Sequence, residues 1–211
     1  PTEPAQLMGK VIARFRAPDY HPPMLPAVAL EVHALSRQPD VHLAQVEQTI
    51  QRDPVLAGRM LKVASSPIYQ TRVPVRSLHD CLVRLGLDAV SQLLLEAAMT
   101  MRVFRAAAYQ DLLDHVRRHS LATAHLTREV CRMAGIPDDH AFFAGFLHDA
   151  GIAACLLVLA DVKRRREEPP PLREAWHVVA TLHERVGSGL GRAWQRPDEV
   201  SLAIAHHHSM V

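Results

Sequence analysis

The stretch Ala141–Ile152, AFFAGFLHDAGI, constrains this chain more than any other. It is a strongly apolar helical run interrupted by His148 and Asp149. An imidazole beside a carboxylate in such surroundings is costly to bury unless hydrogen bonds or a bound ion satisfy both. Their partners must come from distant sequence. The candidates are His115 and His119 upstream, and His183 and the run His206, His207 and His208 downstream. A divalent metal takes imidazole nitrogen and carboxylate oxygen, and a helical protein must collect such ligands from several helices. The pattern predicts a His/Asp metal centre inside a helical bundle.

The rest of the composition narrows the class. With 211 residues the chain can bury a sizeable core. A hydrophobic share of 48%, with only 9 glycines and 5% aromatics, fits helices packed through Leu, Val, Ala and Met. The formal charge of +2, without a basic stripe interleaved with aromatics, argues against a nucleic-acid partner. Cys81, Cys131 and Cys155 are odd in number and show no CxxC spacing, so reduced core residues are expected. No secretory signal is apparent, and no apolar run of 18 residues is expected. A cytoplasmic location with no membrane partner follows as the expectation. The bounds Pro1 and Val211 read as those of a piece excised from a longer protein.

Read in order, the periodicity predicts an all-α, two-part helical bundle with strand-like alternation confined to a few residues around Arg72–Val75. Residues 1–23 hold an amphipathic helix and a proline-rich linker. Residues 24–108 form a first half of short helices, and residues 109–208 a second, ligand-bearing half. In the first half, Asp40 is expected to cap one helix, Asp53-Pro54 to start the next, and Ser77 and Gly86 to bound another. A longer helix is expected from Asp88 to about Ala108. In the second half a helix runs from about Tyr109 to Met133 and closes at Gly135. Asp138 or Asp139 caps a single helix carrying His148-Asp149 to about Leu159. Lys163–Pro171, KRRREEPPP, reads as an exposed loop. A helix from Leu172 is expected to break at the Gly187/Gly189/Gly191 cluster. A last helix runs from Pro197 through Val200, Leu202 and Ile204 to the histidines.

His119 is preferred to His115, which follows a polar stretch. The LHERVG segment around His183 lacks the second histidine of a zinc-protease HExxH helix, so that chemistry is rejected. Taken singly, any of these histidines is more simply a packed or solvated side chain. Four separate helices each offering one, with a carboxylate beside one of them, shift the balance toward a shared site.

These same residues carry a family resemblance. The second half resembles the HD superfamily of metal-dependent phosphohydrolases, with His119, the His148-Asp149 doublet, His183 and the His206-His207 pair in the order of its metal ligands. The first half narrows the match: LPAVALEVHAL, then VEQTIQRDPVLAGRMLKVASS, then SLHDCLVRLG resemble the HDOD family, the HD-related output domain of bacterial signalling proteins. The resemblance spans about residues 24 to 208. It implies a regulatory output module without hydrolase activity. Its expected partners are an upstream receiver or other signalling domain, a protein partner and a nucleotide ligand. It implies a metal site of His119, His148, Asp149, His183, His206 and His207 holding Fe, Mn, Zn or Ni.

The chain departs from the active members of the superfamily. Those usually read HDxGK, whereas HDAGI puts Ile152 where a lysine would address the phosphate. Their HHExxDGxGYP segment is replaced by HHHSMV. Two functions remain in view: a non-catalytic signalling module, and a metal-dependent phosphodiesterase acting on a nucleotide or cyclic dinucleotide. A metal-free polar cluster that fixes helix packing is the plainest alternative.

Overall fold

The computed structural model describes residues 4–67, 75–136, 140–161, 168–194 and 196–209. Among them every regular element is a helix: α1 Pro4–Arg16, α2 Ala27–Ser36, α3 Leu43–Gln51, α4 Pro54–Ala64, α5 Leu78–Leu85, α6 Leu87–Arg102, a short 3-10 turn Ala107–Tyr109, α7 Gln110–Met133, α8 Ala141–Leu147, α9 Ala150–Ala160, α10 Leu172–Ala193 and α11 Asp198–His206. The all-α, two-part expectation holds. Internal contacts group residues 25–102 into one compact unit and residues 1–24 with 103–211 into a second.

The first unit is written in local signals. Asp53 accepts a hydrogen bond from the Leu56 N–H at 2.9 Å and Pro54 fills the first turn of α4. Ser77 caps α5 through the Asp80 N–H at 2.9 Å, and Gly86 leaves the helix at φ +81°, a conformation that favours glycine. Asp40 caps nothing: α3 begins after His42, which lends no side-chain cap. The helix from Leu87 stops at Arg102, short of Ala108. The core is mainly apolar, with Glu96 the one carboxylate buried among the described residues of this unit, and is built on Val32, Ile50, Leu56, Met60 and Leu93–Leu94, all fully buried. Each such side chain contributes about 1.5–3 kcal/mol on burial.

The second unit is built around a single apolar stretch. Ala141–Ala160 has a mean hydropathy of 1.9 over membrane-spanning length, which corrects the expectation that no such run exists; 78% of its apolar window lies buried inside the protein. The expected single helix is in fact two, since α8 ends at Leu147 and α9 starts at Ala150. His148 and Asp149 occupy the break. Nearly every residue of α9 is buried, as a helix apolar on all sides must be. Around it pack α10, α1, α7 and the 3-10 turn, while α7 and α11 flank α8. The N-terminal helix buries Leu7 and Val11 in this packing. Trp194 donates from Nε1 to the Pro23 carbonyl at 2.9 Å and pins the segment after α1.

The glycine cluster does not break α10, which runs unbroken to Ala193. Glycine costs a helix about 1 kcal/mol, and close packing outweighs it here. A Cβ on Gly187 would stand 2.8 Å from Ile204 of α11, and one on Gly191 would meet Ser201 at 3.0 Å. At the other end of the unit, α7 closes as expected at Gly135 (φ +68°), with the Ile136 N–H reaching back to the Cys131 carbonyl at 2.9 Å. The proposed Asp138/Asp139 cap, the strand candidate at 72–74 and the charged part of the 163–171 loop lie outside the described residues. Cys81 and Cys155 are buried and free as expected, whereas Cys131 is partly exposed.

Candidate metal centre

Glycine crossings place the site. Gly145, one turn before His148, presses against α7 so closely that a Cβ would sit 2.7 Å from Ala124 Cα, one turn beyond His119. Gly151, two residues after Asp149, faces the backbone of His183 itself, where a Cβ would come within 1.9 Å of its carbonyl oxygen. Gly187, one turn after His183, seats Ile204, which lies one turn before His207. Each close approach therefore stands within about a turn of a candidate ligand on both helices it joins.

The result is four imidazoles around one carboxylate. Nε2 of His148 lies 3.2 Å and Nε2 of His119 3.6 Å from Asp149 Oδ2. On the other oxygen, Nε2 of His207 stands 3.3 Å and that of His183 3.9 Å from Oδ1. His119 and His148 approach each other at 3.2 Å through their Nε2 atoms. His208 joins the Oδ1 side, with its ring 4.2 Å from that of His207 and its backbone N–H donating to Glu184 at 3.2 Å. Two overlapping groups able to hold an ion emerge, His119/His148/Asp149 and Asp149/His183/His207/His208, sharing Asp149. The break between α8 and α9 explains how neighbouring residues serve one site. On a continuous helix they would point about 100° apart; here both reach inward.

The remaining nitrogens decide what the cluster is made for. His148 Nδ1 lies 2.8 Å from the Gly145 carbonyl, His183 Nδ1 3.0 Å from that of Ala180, and His207 Nδ1 2.8 Å from that of Ile204. A carbonyl only accepts, so each Nδ1 carries a hydrogen, and each ring in its neutral form offers a lone pair at Nε2. This is the outer support that metal-ligating histidines use. The Nε2 atoms of His183 and His207 are buried without a hydrogen-bond partner among the described residues. Lone pairs gathered on a carboxylate repel one another, and a divalent cation turns that repulsion into ligation. The residues therefore fit a metal, and their mixed imidazole and carboxylate donors suit borderline transition ions.

Electrostatics agree with this geometry. Burial would push the Asp149 carboxyl up, but His148 and His207 beside it hold it well below the ordinary carboxylate value. Burial works against the charged form of His207, yet Asp149, the Ile204 carbonyl and Glu184 outweigh it and raise the ring above its usual value. In His183 burial dominates and lowers the ring, which keeps it neutral. The cluster is closed on the His183 side, where the side chain is 6% exposed, and open on the His119 side, at 53%.

Of the residues expected from the sequence, His119, His148, Asp149, His183 and His207 come together, while His206 points outward and His208 takes the place beside His207. His115 is exposed. The buried face of α11 is Val200, Ser201 and Ile204. Helical spacing carries that face on to positions 207 and 208. His206, expected as half of the pair that matches the HD ligand order, lies off that face and is exposed. The glycine crossings also escaped the sequence reading. The four-residue spacing of Gly187 and Gly191 on one helix face was their signal.

Such a two-part helical fold with a His/Asp cluster defines a domain of HD type. Residues 23–210 match the HDOD domain family, and the chain belongs to it. A solved HDOD domain protein of unknown function from Geobacter sulfurreducens is similar at a TM-score of 0.68 and 21% identity, over 98% of this chain and 71% of that one. A candidate metal-dependent phosphohydrolase from Shewanella amazonensis SB2B is similar at a TM-score of 0.70 and 22% identity, over 96% of this chain and 74% of that one. A candidate signal transduction protein from Marinobacter aquaeolei VT8 is similar at 0.69 and 24%, over 98% of this chain and 50% of that one. By sequence, the chain is 24% identical over 202 residues to an uncharacterized protein of Treponema pallidum (strain Nichols), spanning 89% of this chain and 38% of that protein.

Proposed function

We propose that the chain is a metal-binding, non-catalytic output module of a bacterial cytoplasmic signalling protein, linked to an upstream receiver or other signalling domain and acting on a protein partner. One observation carries the reading: Ile152, one turn after Asp149, is buried in the core of α9 at 6% exposure. The position from which a cation would address a phosphate is an apolar packing residue, and isoleucine stabilises no developing charge. The ion, held by His119, His148, Asp149, His183, His207 and His208, ties α7, the α8–α9 break, α10 and α11 into one body. Iron, manganese, zinc and nickel all suit that donor set.

The exposed face of His119 favours a second reading, a metal-dependent phosphohydrolase acting on a nucleotide or cyclic dinucleotide. A catalytic metal keeps a coordination position open to substrate, where it polarises a phosphate ester and activates water. Elemental analysis of untagged protein, with turnover of a chromogenic phosphodiester, separates the two. Stoichiometric metal without turnover supports the module. Metal-dependent turnover lost in Asp149→Ala makes the chain an enzyme. Protein that binds no added divalent ion refutes both.

A further inference from the structure

A cavity of about 720 Å³ lies between α1, the segment after it and α10, with Ala205 of α11 at its edge. It is lined on one side by Ile12, Phe15 and Tyr20, and on the other by Leu182, Val186 and Leu190. Its volume falls within the roughly 300–1,000 Å³ range of small-molecule clefts. Three arginines also line it, Arg16 from α1 and Arg185 and Arg192 from α10, and no carboxylate among the described residues does. Arg16 and Arg185 are exposed and form no ion pair among the described residues. Arg192 is steadied by Ser188, whose Oγ accepts from Nη1 at 2.9 Å. The nearby acid Asp19 is engaged by Arg14 at 3.0 Å.

The aromatic wall is organised. Phe15 and Tyr20 meet edge to face with ring centroids 5.0 Å apart, and Arg14 covers Tyr20 at 5.1 Å from its ring centroid. Burial pushes the Tyr20 phenol up to about 12, so it stays a neutral hydroxyl able to donate. On α10, Arg185 and Arg192 stand two turns apart, about 10 Å along the axis. A ligand filling this cleft must offer a flat apolar ring to the aromatic wall and negative charge to more than one guanidinium. Guanidinium and phosphate pair strongly and with directional fit.

We propose that this cleft is a binding site for a nucleoside phosphate, its base against Phe15 and Tyr20 and its phosphate on Arg16 and Arg185, separate from the His/Asp cluster. No metal ligand lines it, so the proposal stands whether or not the cluster binds an ion.

Calorimetric titration of the intact chain with nucleoside 5′-mono- and diphosphates tests it, with the free nucleosides and inorganic phosphate as partial probes. At least one nucleoside phosphate binds, and its two halves alone bind at least about tenfold more weakly. Arg16→Ala and Arg185→Ala each raise Kd about tenfold, and the double variant about a hundredfold. Both side chains are exposed, so a melting curve matching the parent confirms that folding is intact. Phe15→Leu, which keeps bulk but removes the ring, weakens binding several-fold. Asp149→Ala leaves Kd unchanged. The proposal is overturned if no nucleoside phosphate binds at millimolar concentration, or if binding ignores the arginine variants. It is equally overturned if binding disappears in Asp149→Ala, or if a poly-glutamate peptide binds more tightly than every nucleotide.

Discussion

The two units bury different kinds of core. In residues 25–102 the interior is mainly apolar, with Thr49, Ser91 and a single carboxylate, Glu96, buried at separate points, and the helices are set by caps, prolines and turns that act within a few residues of one another. In the other unit the central helices carry no side-chain caps, and a carboxylate and two histidines stand at or near full burial. There, close backbone crossings replace local signals. A unit held by local signals tolerates small changes at its helix surfaces; one held by crossings does not. The second arrangement fixes side chains from distant helices to within ångströms, which a ligand cluster requires.

Paired glycine substitutions offer the sharpest way to break that contrast. Gly151→Ala drives a methyl group into the His183 backbone and is expected to cost about 3 kcal/mol or more. Gly58→Ala in α4, where nothing lies within 4 Å, is expected to be neutral or to stabilise by up to about 1 kcal/mol. Denaturant melts of the two variants decide the matter, and equal midpoints would mean that the crossings carry no special weight.

The next effect is metal linkage. An added divalent ion at a hundredfold over its Kd is expected to stabilise the ligand-bearing unit by about 2.7 kcal/mol. Chelator reverses this, His183→Ala abolishes it, and Asp53→Ala in the other unit leaves it intact. A thermal shift that survives His183→Ala would place the ion elsewhere.

Acidity gives a third and smaller contrast. Asp149 is held below its ordinary value of 3.8, so its contribution to stability is present above that value and fades as pH falls below it. Asp149→Asn is expected to flatten the acid limb of the stability curve in metal-free protein, measured by denaturant melts across the acid range. Metal affinity itself falls as pH drops, because His207 is raised above 6.5 and its proton must leave before Nε2 can ligate. Titration of metal binding at several pH values reads this slope.

The smallest changes belong to the capped unit. Asp53→Ala and Ser77→Ala each remove one side-chain acceptor from a helix start and are expected to cost about 1 kcal/mol, measured by chemical denaturation. Either loss reaching the size of Gly151→Ala would erase the distinction between the units.

The same division explains what could be read from the sequence. The Asp53-Pro54 start, the Ser77 cap and the Gly86 stop are contiguous signals, and the structure forms them where the sequence places them. The His148-Asp149 doublet announced itself by its cost in an apolar run. The break between α8 and α9 did not, because it exists to satisfy contacts with α7, α10 and α11. Gly187 and Gly191 looked like a turn for the same reason: only the partner helices reveal that they are contact points. His206 entered through the order of the family's ligands, whereas the buried face of a nine-residue helix, Val200, Ser201 and Ile204, leads on to His207 and His208.

Gly187 touches both Gly151 and the side chain of Ile204, so a single backbone point sets the spacing of three helices. Any drift that repositions one wall of the His/Asp cluster must first pass through this packing, which the core protects for its own sake. The ligand distances are thus set by the hydrophobic interior itself: a change that spares the packing of these three helices spares the arrangement of the imidazoles.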